Sequence, residues 1–402
     1  AGAFLGIMQL LKVLYVLRLG FGPEFVGTLF AAGSLSFCVS SLPGALLGGR
    51  YGPRRIMLGG GLVYVIGMAL LPLTEAVPPG LRALWPVLVQ LVSSSGWAVL
   101  QVNIVPAMMA LTTPENRRSA FAMKEAFAGL GMFLGALIGG LLPGLFAGLL
   151  GTTTAEPAPY RLGLWVPVAI GLAGLVPLAC IRPLPAAPRV QARQSSLKAL
   201  WPLAAVLVCA YLNNGAVASG KTFASAYLDR VFHLPASLIG AFSSLGLLLS
   251  SLAALAGPRL ARGRGSGQTI LVASVGLSLS LALMAFVPHW AAAGLGMAGL
   301  LTLASMWVPA YQVLQMEMAD PAARGFVAGA SSMIMSLGFG TMSLSGGYIV
   351  AAWGYQRVFL AGAMVATVSA ALMGRFVRSR QIAMRRADEA APARGATAAP
   401  SS

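Results

Sequence analysis

The chain has 402 residues, of which 57% are hydrophobic and only 9% charged, and its mean hydropathy is +0.81. Soluble domains carry about 25% charged residues, so this balance excludes a soluble enzyme and a disordered chain. Three Cys (Cys38, Cys180, Cys209) sit singly in apolar runs, in neither a metal-binding nor a redox spacing. No metal and no cofactor is expected.

Apolar runs near 20 residues recur from end to end, each long enough to cross about 30 Å of hydrocarbon. A barrel would instead alternate over ~10-residue strands. Twelve spans are predicted, at about 1–19, 24–47, 56–77, 83–111, 119–149, 161–181, 199–226, 236–257, 268–288, 290–317, 323–350 and 356–377. The connections fall into two sets. Those at 20–23, 78–82, 150–160, 229–235 and 351–355 carry one Arg or none each. The alternate set carries most of the basic residues: Arg50, Arg54 and Arg55; Arg117, Arg118 and Lys124; Arg182, Arg189, Arg193 and Lys198; Arg259, Arg262 and Arg264; Arg324; and the Arg of the tail. Positive loops stay in the cytoplasm, so both termini are expected there, in a bacterial inner membrane. The net charge of +17 is thus a topology signal with some attraction to anionic lipid, and no nucleic-acid partner is expected.

Between the second and third spans lies Gly48-Gly49-Arg50-Tyr51-Gly52-Pro53-Arg54-Arg55. Its Gly and Gly-Pro break a helix, and its three Arg place it at a membrane surface. It resembles the loop between helices two and three of major facilitator superfamily transporters, roughly G-x-x-x-D-R-x-G-R-R. Gly48, Arg50, Gly52, Arg54 and Arg55 fit loosely, Gly52 falls one place early, and Gly49 stands where the family has Asp. The resemblance implies an all-α fold of two pseudo-symmetric six-helix bundles with the substrate site between them. In the family that Asp joins a gating network; here gating must use Arg50, Arg54 and their partners. Glu115 with Arg117, and Glu317 with Arg262, Arg264 or Arg324, are the expected ionic partners.

An internal repeat fits two halves. Tyr15, Arg18, Pro23 and Gly27 recur as Tyr227, Arg230, Pro235 and Gly240, an offset of 212 to 213. Pro114, Arg117, Gly131, Gly139 and Gly140 recur as Pro321, Arg324, Gly338, Gly346 and Gly347, an offset of 207. The expected domains are 1–181, a Pro-rich basic linker at 182–198, a second bundle at 199–379, and a disordered cytoplasmic tail at 380–402. Against the seventh span the first lacks about a dozen residues, so a truncated or processed start is expected.

In the resembling family, spans one, four, seven and ten line the cavity. Helical spacing picks out stripes on these spans: Gln9, Lys12 and Tyr15; Gln90, Ser94, Trp97 and Gln101 beside Asn103; Tyr211, Asn214 and Lys221 beside Asn213; Trp307, Tyr311 and Gln315 beside Gln312. The alternative is that these amides and rings join helices. Lys12 and Lys221 are the basic residues well inside spans, and an anionic substrate group is one way to offset them. Glu125 in the fifth span is the candidate protonatable carboxylate, with an ion pair to a neighbouring helix as the alternative. Gly131, Gly135 and Gly139 form a small-residue ridge, read as close packing rather than an antiporter signature. The expected function is secondary transport of a small organic solute by alternating access, proton-coupled and directed to export. Uptake of a sugar-like or organic-anion solute is the alternative. A membrane-embedded enzyme is disfavoured, since His233 and His289 have no partners for catalysis. The carrier is expected to act as a monomer.

Overall fold

In a computed structural model the described residues are 2–113, 115–181, 203–260, 265–319 and 324–395, with backbone alone at 117–119, 122, 254–260, 265, 324–326 and 380–395. They form thirteen helices: α1 Gly2–Arg18, α2 Pro23–Tyr51, α3 Pro53–Ala69, α4 Leu84–Leu111, α5 Arg117–Leu150, α6 Ala158–Gly163, α7 Trp165–Cys180, α8 Ala204–Arg230, α9 Ala236–Leu260, α10 Gly265–Phe286, α11 Trp290–Met318, α12 Arg324–Trp353 and α13 Tyr355–Gly395. Counting α6 and α7 as one span gives twelve crossings among the described residues.

Nine of these are long and apolar enough to cross a membrane on length and composition alone. The other three have physical reasons to fall short. Helices α1 and α3 are 17 residues each, and α8 is less apolar because protein, not lipid, surrounds it. Most of α1 and α8 is buried, including Lys12 on α1 and Asn213, Ser219, Thr222 and Asp229 on α8. These two helices form the centre of the molecule.

The third span was expected to reach residue 77. Instead α3 stops at Ala69 and a 3-10 turn runs from Leu71 to Ala76, since Pro72 has no N–H with which to continue the helix. The tail expected to be disordered from 380 is a continuation of α13 to Gly395. That stretch is rich in Ala and Arg, which favour helix. The linker at 182–198 lies outside the described residues.

The ridge of α5 does pack closely. A Cβ at Gly135 would fall 2.3 Å from the Ala3 carbonyl oxygen, and one at Gly139 would fall 3.1 Å from Ile7 Cα. Helix α1 therefore lies backbone to backbone on this ridge. The halves meet along α2 with α12 and α5 with α9. A Cβ at Gly27 on α2 would fall 3.0 Å from Gly347 Cα on α12. One at Gly140 on α5 would fall 3.0 Å from Gly240 Cα on α9. Gly27 and Gly240 share one repeat position, and Gly140 and Gly347 share another. The two seams are therefore the same contact made twice about a pseudo-twofold axis.

Candidate functional site

Chain order puts the basic loops at one end of the bundle, here called the basic end. At the opposite end the halves are clasped. Arg18 closes α1 and Asp229 lies one residue before the end of α8. Arg18 donates from Nη1 and Nη2 to the two Asp229 carboxylate oxygens at 2.7 and 2.5 Å. Its Nε donates to the Thr154 carbonyl at 3.0 Å, and its guanidinium lies 5.4 Å from the Tyr160 ring centre. The Asp229 side chain is only 4% exposed and Arg18 is 19% exposed. A planar fork meeting a carboxylate through two bonds is the strong form of an ion pair. Arg230, the repeat counterpart of Arg18, donates to the Leu17 carbonyl at 2.6 Å. Each Arg thus reaches the residue just before its counterpart in the other half. Below them Val13, Val16, Leu17, Val26, Leu29 and Ala226 form a sealed apolar layer.

A further hydrogen bond joins the halves, from Ser336 Oγ to the Ser34 carbonyl at 2.8 Å, midway along α2 and α12. The molecule is closed at the clasped end.

Beneath the apolar layer a cavity of about 30 Å³ lies between the halves, lined by Gly6, Gln9, Lys221, Ser225, Ser243 and Met297 among others. Gln9 and Lys221 occupy the same repeat position. Each lies nine residues before the Arg that ends its helix, about 13 Å down from the clasp. Ser225 follows Lys221 by one helical turn and is 7% exposed. Ser243 donates to the Ile239 carbonyl at 2.8 Å. Gln9, Lys221 and Ser225 have no side-chain hydrogen bond among the described residues.

Lys12 is engaged differently. Its ammonium donates to Gln90 Oε1 at 3.0 Å and lies 4.4 Å from the Phe30 ring centre. Gln90 in turn donates to Ser94 Oγ at 2.8 Å. A lysine at mid-bilayer costs about 2.5–3.5 kcal/mol; an amide oxygen and a ring face offset part of that within the first half.

The other stripe residues are placed as follows. Tyr15 donates to the Pro72 carbonyl at 3.4 Å. Trp97 packs on Tyr64, 5.3 Å between ring centres, beside a separate apolar cavity of about 200 Å³ between α1, α3, α4 and α7. Gln101 is exposed. Asn103 donates to the Gly44 and Val99 carbonyls at 3.0 and 2.8 Å. Tyr211 bonds Thr341 Oγ1 at 2.9 Å, Asn213 accepts from Ser274 at 3.2 Å, and Asn214 donates to Ala210 in its own helix at 3.2 Å. Trp307 and Tyr311 stack at 4.7 Å inside the second half, where Gln315 is also buried; Gln312 is exposed. Of the sixteen residues in the expected stripes, the cavity between the halves therefore takes Gln9 and Lys221. It adds Ser225 and Ser243, and the i+4 spacing of Ser225 from Lys221 was the available signal for the first of these.

At the basic end Gly48 sits against Asn103, whose Oδ1 would be 1.6 Å from a Cβ there. Gly52 turns the chain at φ +87 and donates its N–H to Gly48 at 3.0 Å. Arg54 donates to the Ala179 carbonyl at the end of α7. Arg50 lies 5.3 Å from the Tyr51 ring centre, and Arg55 is exposed. Glu115 and Glu317 are exposed. Arg117 and Arg324 begin α5 and α12, and Arg262 and Arg264 lie outside the described residues. Glu125 is 64% exposed and accepts from Lys124 at 2.5 Å, so its partner is its sequence neighbour rather than another helix.

Two repeated six-helix halves, a cavity between them and a clasp at one end define a polytopic solute carrier. The profile of the Major Facilitator Superfamily matches residues 2–338, and the chain belongs to that superfamily. Among solved structures it is similar to a mutant of the nucleoside transporter NupG, at 16% identity and TM-score 0.72, covering 93% of this chain and 96% of that one. It is also similar to a bacterial homologue of the human lysosomal transporter Spinster in an inward-facing, unoccupied conformation, at 15% identity, TM-score 0.70, and 94% and 95% coverage. A third is a POT family transporter in complex with 5-aminolevulinic acid, at 13% identity, TM-score 0.68 and 93% coverage of both chains. No curated protein matches the chain by sequence.

Proposed function

We propose that this protein is a secondary active transporter moving a small organic solute by alternating access in a bacterial inner membrane, with both termini cytoplasmic. The observation that supports it best is the clasp of Arg18, Asp229, Arg230 and Leu17 above a cavity shared by both halves. Alternating access requires one end to close while the other opens. With the basic loops facing the cytoplasm, the closed end is external; export is the direction proposed. Action as a monomer is part of the proposal.

Proton coupling is part of the proposal, with Glu125 and its Lys124 partner as the protonatable pair. Uptake of an organic anion or sugar-like solute is the second reading, favoured by the Gln9, Lys221 and Ser225 lining. Proteoliposomes holding a trapped pH dye, given organic anions, sugars and lipophilic cations in turn, test coupling and direction. The expected result is a solute-dependent pH change that Glu125→Gln abolishes. Solute flux with no pH change removes proton coupling. Spin-label distances across the two ends that never change reciprocally remove alternating access.

A further inference from the structure

We infer that the cavity between the halves is a carboxylate site: Lys221 and Ser225 of the second half hold the head group, and Gln9 of the first half completes it. The inference rests on the carrier reading above and names the substrate class for that site.

Three polar side chains from two halves line one cavity without a protein partner, whereas Lys12 has a partner of its own. Gln9 and Lys221 are half-buried and Ser225 is buried, and polar groups withdrawn from bulk water are hydrogen-bonded as a rule, so their partners belong to what enters. A Lys ammonium offers three donors and no acceptor, Ser adds a donor, and Gln adds two. The set is rich in donors, and Lys221 supplies a formal positive charge. The matching ligand is an anion with acceptor oxygens. Size then selects among anions. The space is about 30 Å³, on a measure in which one water takes about 10–15 Å³. That is room for about two waters, closer to a two-oxygen carboxylate head than to a phosphate with its additional oxygens. The remainder of the solute extends toward the unclasped end. Because Gln9 and Lys221 sit at one repeat position on opposite halves, a bound carboxylate bridges the two bodies whose relative motion constitutes transport.

The test uses full-length protein in nanodiscs of neutral lipid, with thermal unfolding as the readout. The probes are propionate, benzoate and decanoate, their amides, and phenyl phosphate. Carboxylates are expected to raise the melting temperature by about 2 °C or more at tens of millimolar, with amides and phenyl phosphate inert. Lys221→Gln abolishes the rise, Lys221→Arg weakens it, and Lys12→Gln leaves it in place. A rise with decanoate alone assigns a lipid-like acid; a rise with the short acids assigns a soluble one. The inference is overturned if amides stabilise as well as acids, if phenyl phosphate outdoes benzoate, if Lys221→Gln keeps the rise, or if no carboxylate shifts wild type. The spin-label distances decide the carrier reading separately and need no ligand, so each can fail without the other.

Discussion

Arg18→Ala should open the clasped end. Asp229 has a 4% exposed side chain and accepts both its strong bonds from Arg18. Removing one partner of a fully buried pair costs about 3–5 kcal/mol, because the other charge is stranded. Arg18 is 19% exposed, so water already screens part of the pair; a discounted figure is about 2 kcal/mol. Opening hydrates Asp229, so this cost falls on the clasped state. At 1.4 kcal/mol per decade, the open population rises roughly 30-fold. Arg230 donates one bond, to a neutral carbonyl, so Arg230→Ala is worth about 1 kcal/mol, roughly fivefold. The assay places Ala226→Cys, in the buried layer beneath the clasp, in a background without the three native Cys. An impermeant maleimide is added on the external side and the labelling rate measured. The expected order is Arg18→Ala, then Arg230→Ala, then the parent, with Arg18→Asp plus Asp229→Arg restoring part of the protection. Equal rates in all four would refute the clasp as a barrier and leave it a surface ion pair.

The remaining predictions concern packing. Gly27→Ala puts a Cβ 2.3 Å from the Ser343 carbonyl oxygen and Gly240→Ala puts one 2.8 Å from the Ala136 carbonyl oxygen; each should destabilise by about 1–3 kcal/mol in chemical unfolding. Gly49→Ala meets nothing within 4 Å and should leave stability unchanged; a comparable loss there would show that the seam argument is wrong. Gly48→Ala should be damaging alone, since its Cβ falls 1.6 Å from Asn103 Oδ1, and nearly harmless once Asn103→Ala is present. Gln90→Leu should cost about 1–3 kcal/mol by stripping the Lys12 ammonium of its acceptor, with Lys12→Met recovering most of it; additive losses in the double variant would mean the two do not share one interaction.

The twelve crossings were legible because lipid imposes a length and an apolarity that hydropathy reads directly. The repeat was legible because Gly and Pro at matched positions do backbone work that other residues cannot. The 3-10 turn at Leu71–Ala76 was hidden inside an apolar run, although Pro72 marked it. The cavity was legible in part. Helical spacing shows which face of α11 carries Trp307 and Tyr311, but not whether that face meets the other half or its own. Those rings are buried within the second half. The alternative for Glu125 was a partner on a neighbouring helix, yet the long side chain of adjacent Lys124 reaches it at 2.5 Å. Asp229 was passed over because its meaning depends on Arg18, 211 residues away.

The repeat positions separate what the two halves share from what only one half carries. Gly27 and Gly240, and Gly140 and Gly347, are identical between halves and form the two seams. A rocking motion about a pseudo-twofold axis requires the same close contact on both sides, so symmetry there is a mechanical need. Arg18 and Arg230 are also identical, but their targets differ: Asp229 offers a carboxylate where Leu17 offers a backbone carbonyl. Gln9 and Lys221 differ outright at the cavity. A site of two identical cations would repel itself across so small a cavity. A site of two amides would lack the charge to draw an anion from water. One amide facing one ammonium avoids both problems and gives a bound solute a fixed orientation: the charged end on α8, the neutral contact on α1. The asymmetry falls at the clasp and the cavity, where chemistry must be directional, and is absent at the seams, where only geometry matters.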